Sequence, residues 1–263
     1  MLYPVIKRSV SNIEDRDGML KYPLLVMPAT AFALGTWQVF RLRWKLNLIA
    51  ELKEKTSAEP IDFPDDLGQI PSLEYRPVRV KGRFIYDKEL YLTPKSLVHP
   101  GSENQSGKGL ISIGQTDTIG SWVVTPFQIK GTDKKIMVNR GWVPRNQVNR
   151  ETRKQFDPEG EIELIGIVRK TDNRPPLGQK NTEGSSHFRY RDVDTMASRL
   201  DTLPIFLDAT ASLTNPAGGP IAGQTRVTLR NDHASYILTW YGLGLVLSYL
   251  WYIRFARKRL RRV

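Results

Sequence analysis

The sequence of 263 residues has no cysteine and only three histidines, His99, His187 and His233. The absence of thiols excludes disulfide scaffolds, thiolate metal centres, CxxCH haem attachment and cysteine nucleophiles. Three histidines this far apart also lack the spacing of a zinc site, so we expect no metal site of the protein's own. The lack of cysteine does not identify the cellular compartment, because an oxidising space permits disulfides without requiring them.

Charge is missing from two long stretches, one towards each end of the chain. The first, residues 22–40, begins after Lys21, and the second, residues 234–253, ends at Arg254. An α-helix of about 20 residues spans about 30 Å, the thickness of the hydrocarbon core of a bilayer. Tyrosine and tryptophan flank both ends of the second stretch, as is typical at membrane surfaces. Both stretches are predicted to be transmembrane helices in a lipid bilayer. A signal peptide, the alternative for the first, needs a shorter apolar core.

Acidic residues are absent from the C-terminal tail. Residues 254–263 carry six cations, a cluster that is costly to move across a membrane, so we expect the tail on the side of synthesis. Two spans place residues 1–21 on that same side and residues 41–233 on the other. Cations that follow the first span oppose this topology only mildly, since a long translocated domain is largely exempt from the charge rule.

The net charge of +12 does not predict nucleic-acid binding. The tail holds +6 of it, and residues 41–233 carry only +5 over 193 residues. A nucleic-acid module would concentrate its charge on the folded part. Residues 1–21 mix four cations with three acids, unlike a typical mitochondrial presequence. Targeting information therefore lies elsewhere or has been removed.

The region between the two spans predicts one domain that is mainly β. Residues 41–55 continue the first span as an amphipathic helix, and residues 59–71, rich in proline and aspartate, indicate a linker. Alternating apolar residues over 75–230 predict an antiparallel sheet or small barrel with one helix at 191–200. The predicted strands are 78–80, 89–92, 121–130, 134–143, 161–169, 203–208 and 225–230.

Motifs for catalysis are missing. The glycine-rich segments at 101–109 and 218–223 fit neither a phosphate-binding loop nor a dinucleotide fingerprint. Carboxylate pairs such as Glu161 and Glu163 alternate with apolar residues, as is typical of a solvated strand face. We therefore predict that the protein is not an enzyme.

His233 is the histidine whose position suits a haem ligand. It lies one residue before the uncharged stretch, where a ring nitrogen can face the bilayer surface. Tyr236 and Trp240, three and seven positions later, share its helical face. The alternative is an interfacial histidine that only caps the helix.

The segment Arg140-Gly141-Trp142 is a structural motif. A glycine between two bulky residues at the end of a strand predicts a bulge or a close approach of another backbone segment. A side chain at Gly141 is expected to destabilise the domain.

Several motifs together resemble the Surfeit locus protein one family of cytochrome c oxidase assembly factors. They are Trp37-Gln38, the segment NRGWVP at 139–144, GGP at 218–220, GQTRVTLRN at 223–231, His233, and TWYGL at 239–243. The resemblance covers about 21–254 and is close to the animal members, several of which have phenylalanine at the position of Trp142.

This resemblance implies two spans in the mitochondrial inner membrane, with both termini in the matrix and residues 41–233 in the intermembrane space. It implies a role in maturing the haem a-bearing catalytic subunit of the oxidase, alongside other assembly factors. Bacterial relatives bind haem a, and a histidine at the start of the second span is their proposed ligand; His233 occupies that position. Arg230 is close enough in sequence to pair with a haem propionate.

Three hypotheses follow. The protein is an assembly factor that holds or delivers haem a, a structural scaffold for an oxidase intermediate without haem contact, or a membrane enzyme whose site the motifs do not indicate. The lack of a paired nucleophile and base argues against the third.

The topology can be tested by adding protease to mitoplasts from cells that express a C-terminally tagged chain. We expect cleavage within residues 41–233 while the tag survives, because the basic tail stays in the matrix. Loss of the tag together with the domain would contradict this topology.

Overall fold

The computed structural model describes residues 21–98, 119–174, 176, 178–182, 184–214, 218–225 and 232–257. The chain forms two compact units. One contains the terminal helices up to Leu48 and from Arg230, and the other extends from Ile49 to Leu229. The helices of the described residues are α1 (Val26–Ser57), α2 (Val193–Leu200) and α3 (His233–Trp251).

The terminal helices α1 and α3 are long and apolar enough to cross a membrane. A 3-10 turn, Pro23–Leu25, precedes α1, and a π-helical turn, Tyr252–Ala256, follows α3. Only 17% of the most apolar window of the first helix and 6% of that of the second are buried within the structure. Contiguous apolar surface of this extent marks a contact with membrane or protein, and the length of both helices matches a bilayer.

The unit between Ile49 and Leu229 contains a small β-barrel. Its strands are β1 (Ile61–Asp62), β2 (Pro77–Phe84), β3 (Leu90–Ser96), β4 (Ile119–Ile129), β5 (Lys135–Pro144), β6 (Ile162–Arg169), β7 (His187–Phe188) and β8 (Phe206–Ala209).

Five of these strands close into a ring in the order β2, β6, β8, β5, β4, and β4 pairs back with β2. Within the ring only the β5–β8 pair is parallel, with Val138 opposite Leu207; the others are antiparallel. The prediction of two long apolar helices around a mainly antiparallel barrel is confirmed. The parallel pair is the feature that hydrophobic alternation did not indicate.

Two hydrophobic clusters stabilise the barrel unit. Alternate residues of one strand serve different clusters, since Ile136 and Val138 of β5 belong to one and Met137 belongs to the other. The second cluster includes the apolar face of α2, with Met196 and Leu200 fully or nearly fully buried. The predicted helix at 191–200 therefore corresponds to α2 and packs as its periodicity indicates.

The linker predicted at 59–71 is wrong. That segment contains β1 and a 3-10 helix, Leu67–Leu73, and Ile70 is only 4% exposed. Ile61 and Leu67 also pack against the first cluster. The prolines and aspartates shape turns between these apolar residues and do not prevent burial. The strand predicted at 225–230 lies outside the described residues except for Thr225, which is not in a strand.

A bulge in β5 surrounds Gly141. Val123 lies opposite Gly141 while Val124 lies opposite Asn139, so Arg140 is an extra residue in β5. Gly141 has φ of +131°, and a Cβ there would lie 2.2 Å from the carbonyl oxygen of Ile221. Both the conformation and the close approach therefore require glycine.

We predict that Gly141→Ala destabilises the protein by about 1–3 kcal/mol because it adds a backbone clash to the strain of a positive φ. Gly131→Ala is the matched control: Gly131 has φ of +75°, but a Cβ there meets no atom within 4 Å. Thermal unfolding of the purified chains in detergent would measure both. Equal losses in the two variants would show that the approach of Ile221 is unimportant.

Candidate functional site

The candidate site lies where the start of α3 meets α1. His233 is the first residue of α3 and is partly buried. Its Nδ1 lies 2.7 Å from Oε1 of Gln38, a hydrogen bond between the two terminal helices. Gln38 is 9% exposed and is one of four buried residues of α1. A buried amide thus holds the imidazole in place.

Small residues allow the two helices to approach closely. A Cβ on Gly35 would lie 3.2 Å from the ring of Tyr241, so the tyrosine packs directly on the backbone of α1. The Thr36 hydroxyl lies 3.0 Å from the Tyr241 hydroxyl and forms a second hydrogen bond between the helices. These contacts fix the register that aligns Gln38 with His233.

The partner on Nδ1 defines the chemistry of the His233 ring. An amide oxygen can only accept a hydrogen bond, so Nδ1 carries the proton that Gln38 Oε1 accepts. In a neutral imidazole the lone pair then resides on Nε2. Such an arrangement, with one nitrogen oriented by an acceptor and the other available, is typical of metal-ligating histidines. The residues present therefore fit a haem ligand.

The aromatic candidates follow His233 along α3. Tyr236 is 53% exposed, and Trp240, one turn further, is partly buried. Their positions place them on one side of the helix with His233. Arg230, the candidate partner of a propionate, lies outside the described residues.

Gln38 is the site residue that sequence reasoning missed. It was visible as a polar residue near the end of an otherwise apolar stretch. A polar side chain inside a membrane helix usually faces another helix. Gln38 lies near the end of the first span, and His233 lies at the start of the second. Because antiparallel spans bring these two ends together, the positions indicate that the two residues pair.

The Arg140-Gly141-Trp142 motif belongs to the barrel unit, where Arg140 joins a buried ionic network. Its Nη1 lies 2.7 Å from Oδ1 of Asp157, an ion pair without hydrogen-bond alignment, and 3.5 Å from Oε1 of Glu89. Arg153, which is 0% exposed, contacts the other oxygen of Glu89 at 2.5 Å. The Trp142 indole donates to the carbonyl of Lys95 at 3.0 Å. The charged side chains of this network are buried and paired with one another. They therefore have a structural role and are not exposed to a substrate.

Aromatic rings enclose this network. The Arg140 guanidinium lies 5.2 Å from the ring centre of Phe84 and 5.1 Å from that of Tyr86. The Tyr86 hydroxyl donates to the carbonyl of Pro158 at 2.7 Å. Burial raises the pKa of Tyr86 to about 12, so the phenol stays neutral and keeps donating across the physiological range.

A second polar cluster centres on Asp208 of β8, which is 1% exposed. Its carboxylate accepts from the Asn139 amide at 2.7 Å, from the Thr225 hydroxyl at 3.1 Å and from Arg169 at 3.3 Å. Asn139 also accepts from the amide of Gly141 at 3.1 Å. Over the part of the chain that the structure describes, no group of three or more His, Cys, Asp or Glu residues could hold a metal ion.

Comparison with known proteins identifies the family. The SURF1 family profile matches residues 25–245. Surfeit locus protein 1 of Rattus norvegicus is 52% identical over 250 residues, which cover 95% of this chain and 80% of the relative. The Homo sapiens protein of the same name is 50% identical over 95% of this chain and 81% of its own. The SURF1-like protein of Drosophila melanogaster is 41% identical over 96% of this chain and 83% of its own. These matches extend over most of the sequence, and the protein belongs to the SURF1 family.

Proposed function

We propose that the protein is a non-catalytic assembly factor for cytochrome c oxidase and that it binds haem a through His233 during maturation of the catalytic subunit. Membership of the SURF1 family supports the assembly role. The partly buried hydrogen bond between Gln38 and His233 carries the haem proposal. Without that bond, nothing would distinguish His233 from an ordinary histidine at the start of a membrane helix.

The residues of the site would hold the haem by orientation. Gln38 Oε1 keeps the proton on Nδ1 and fixes the plane of the ring, and Nε2 donates its lone pair. Nε2 of His233 would be the ligand to the iron that the haem supplies when bound. The protein would then act as a carrier, with the Nε2 lone pair serving as a ligand and not as a base.

Residues close to His233 would contact the rest of the haem. The exposed ring of Tyr236 and the partly buried ring of Trp240 offer aromatic surface to the macrocycle. Arg230, three residues before His233 in the sequence, would pair with a propionate. These two kinds of contact match a ligand that is apolar in its body and anionic at one edge.

The proposed location is the mitochondrial inner membrane. Two apolar helices and the basic tail support a topology with both termini in the matrix and residues 41–233 in the intermembrane space. His233 would then lie at the intermembrane-space surface of the membrane, facing the catalytic subunit and other assembly factors. Haem a bound to His233 would then lie at the membrane surface, close to a recipient that is embedded in the membrane.

A scaffold without haem contact is the second candidate. The same hydrogen bond favours it, because Gln38 and His233 also tie the two spans together as an ordinary interhelical contact. In that case the pair stabilises the helices, and the imidazole has no ligand.

Haem a binding by variants separates the two candidates. We predict that His233→Ala and His233→Gln lose the Soret shift of bound haem a, because neither supplies an imidazole nitrogen. Gln38→Leu should bind about 10–100-fold more weakly, the usual effect of removing the partner of a ligating histidine. The purified chains are titrated with haem a in detergent and followed by absorbance.

Thr30→Val is the matched control, since it removes a hydroxyl of the same helix whose hydrogen bond goes to the Val26 carbonyl of α1 and not to α3. It should bind haem a as the parent does. If both His233 variants also bind as tightly as the parent, the ligand assignment is wrong and the scaffold function is favoured.

A further inference from the structure

A groove lies between the two helices at the end opposite His233. Its volume is about 210 Å³, and Arg254 lies at its rim. The lining is apolar and comes from both helices: Leu24, Met27, Leu247, Leu250, Trp251 and Phe255. The groove belongs entirely to the helix-pair unit.

The groove opens to the surroundings of the helices. Met27 is 56% exposed and Leu250 is 55% exposed. Lys21 and Arg254 bound the two uncharged stretches at this end, so in a bilayer that both helices cross most of the lining residues would fall within the outermost turns of the hydrocarbon layer. A groove at that depth would face lipid tails, and an acyl chain matches its mainly apolar lining.

Two cations lie near aromatic residues that line the groove. The indole of Trp251 donates to the carbonyl of Lys21 at 2.7 Å, and the Lys21 ammonium lies 5.8 Å from the same ring. The Arg254 guanidinium lies 5.9 Å from the ring centre of Phe255. Both cations therefore lie beside aromatic side chains of the groove, at the level that lipid headgroups would occupy.

The charge of this end is strongly positive even when its acids are counted. Residues 1–21 and 254–263 together contain ten cations and three acids. The sequence from Lys21 to Ala50 and from His233 to Val263 contains no acidic residue. A headgroup at this end thus meets a surplus of positive charge, which favours an anionic phosphate diester without a compensating amine.

We propose that the groove binds one anionic phospholipid, with an acyl chain between Met27 and Leu250 and the phosphate beside Lys21 and Arg254. Apolar shape within the hydrocarbon layer and cations at its edge are the two features that such a lipid needs. The lipid would cover the groove between the basic ends of the two spans. This site is distinct from the proposed haem site at the other end of the helices.

Native mass spectrometry of the full-length protein tests the proposal. The detergent-purified chain is incubated with phosphatidylglycerol or with phosphatidylcholine of the same acyl chains. We expect one phosphatidylglycerol to be retained in preference to phosphatidylcholine. Arg254→Gln and Lys21→Gln should each weaken its retention about fivefold, while Arg43→Gln, at the other end of the first span, should not.

A second pair of variants tests the groove itself. Met27→Trp fills the groove, whereas Val26→Trp adds the same side chain to a neighbouring residue that is 63% exposed and does not line it. Only Met27→Trp should reduce lipid retention, and melting curves confirm that both variants are folded. Equal retention of the two lipids, equal effects of the two tryptophans, or a co-purifying protein that occupies the groove in place of lipid would overturn the proposal.

Discussion

The hydrogen bond between Gln38 and His233 is the contact on which the proposed site depends. It joins residues 195 positions apart and gives the buried amide of Gln38 a partner on the other helix. The close approach at Gly35 and the Thr36–Tyr241 bond align the helices so that this one pair meets. A histidine at the end of a span becomes a ligand candidate only because another span supplies an acceptor for its second nitrogen.

The barrel unit is organised by a different constraint, the bulge in β5. At this bulge two consecutive side chains reach separate buried polar clusters, Asn139 with Asp208 and Arg140 with Glu89 and Asp157. Leaving one of these buried charges without its partner costs about 3–5 kcal/mol, far more than a surface ion pair is worth. The two clusters therefore give each of these buried charges a partner of opposite charge inside the barrel unit.

Much of this architecture could be predicted from the sequence because it depends on local patterns. Uncharged length predicted both terminal helices, and alternation predicted most strands and the apolar face of α2. Pairing over long distances could not be predicted this way. The parallel β5–β8 pair, the burial of Ile70 in an apparent linker and the fully buried Arg153 in a polar connection all depend on partners far along the chain. The same holds for Gln38. The sequence shows that it is a polar residue in an apolar span, but it does not show that His233 is its partner.

The most direct test of the proposed site is to measure which ring nitrogen of His233 carries the proton. Nitrogen-15 magnetic resonance of the histidine-labelled protein without haem can distinguish the two neutral tautomers, and His233→Gln identifies the signal. We predict that His233 carries its proton on Nδ1, with Nε2 unprotonated, and that Gln38→Leu removes this preference. A proton on Nε2 in the parent protein, or a pattern that Gln38→Leu leaves unchanged, would contradict it.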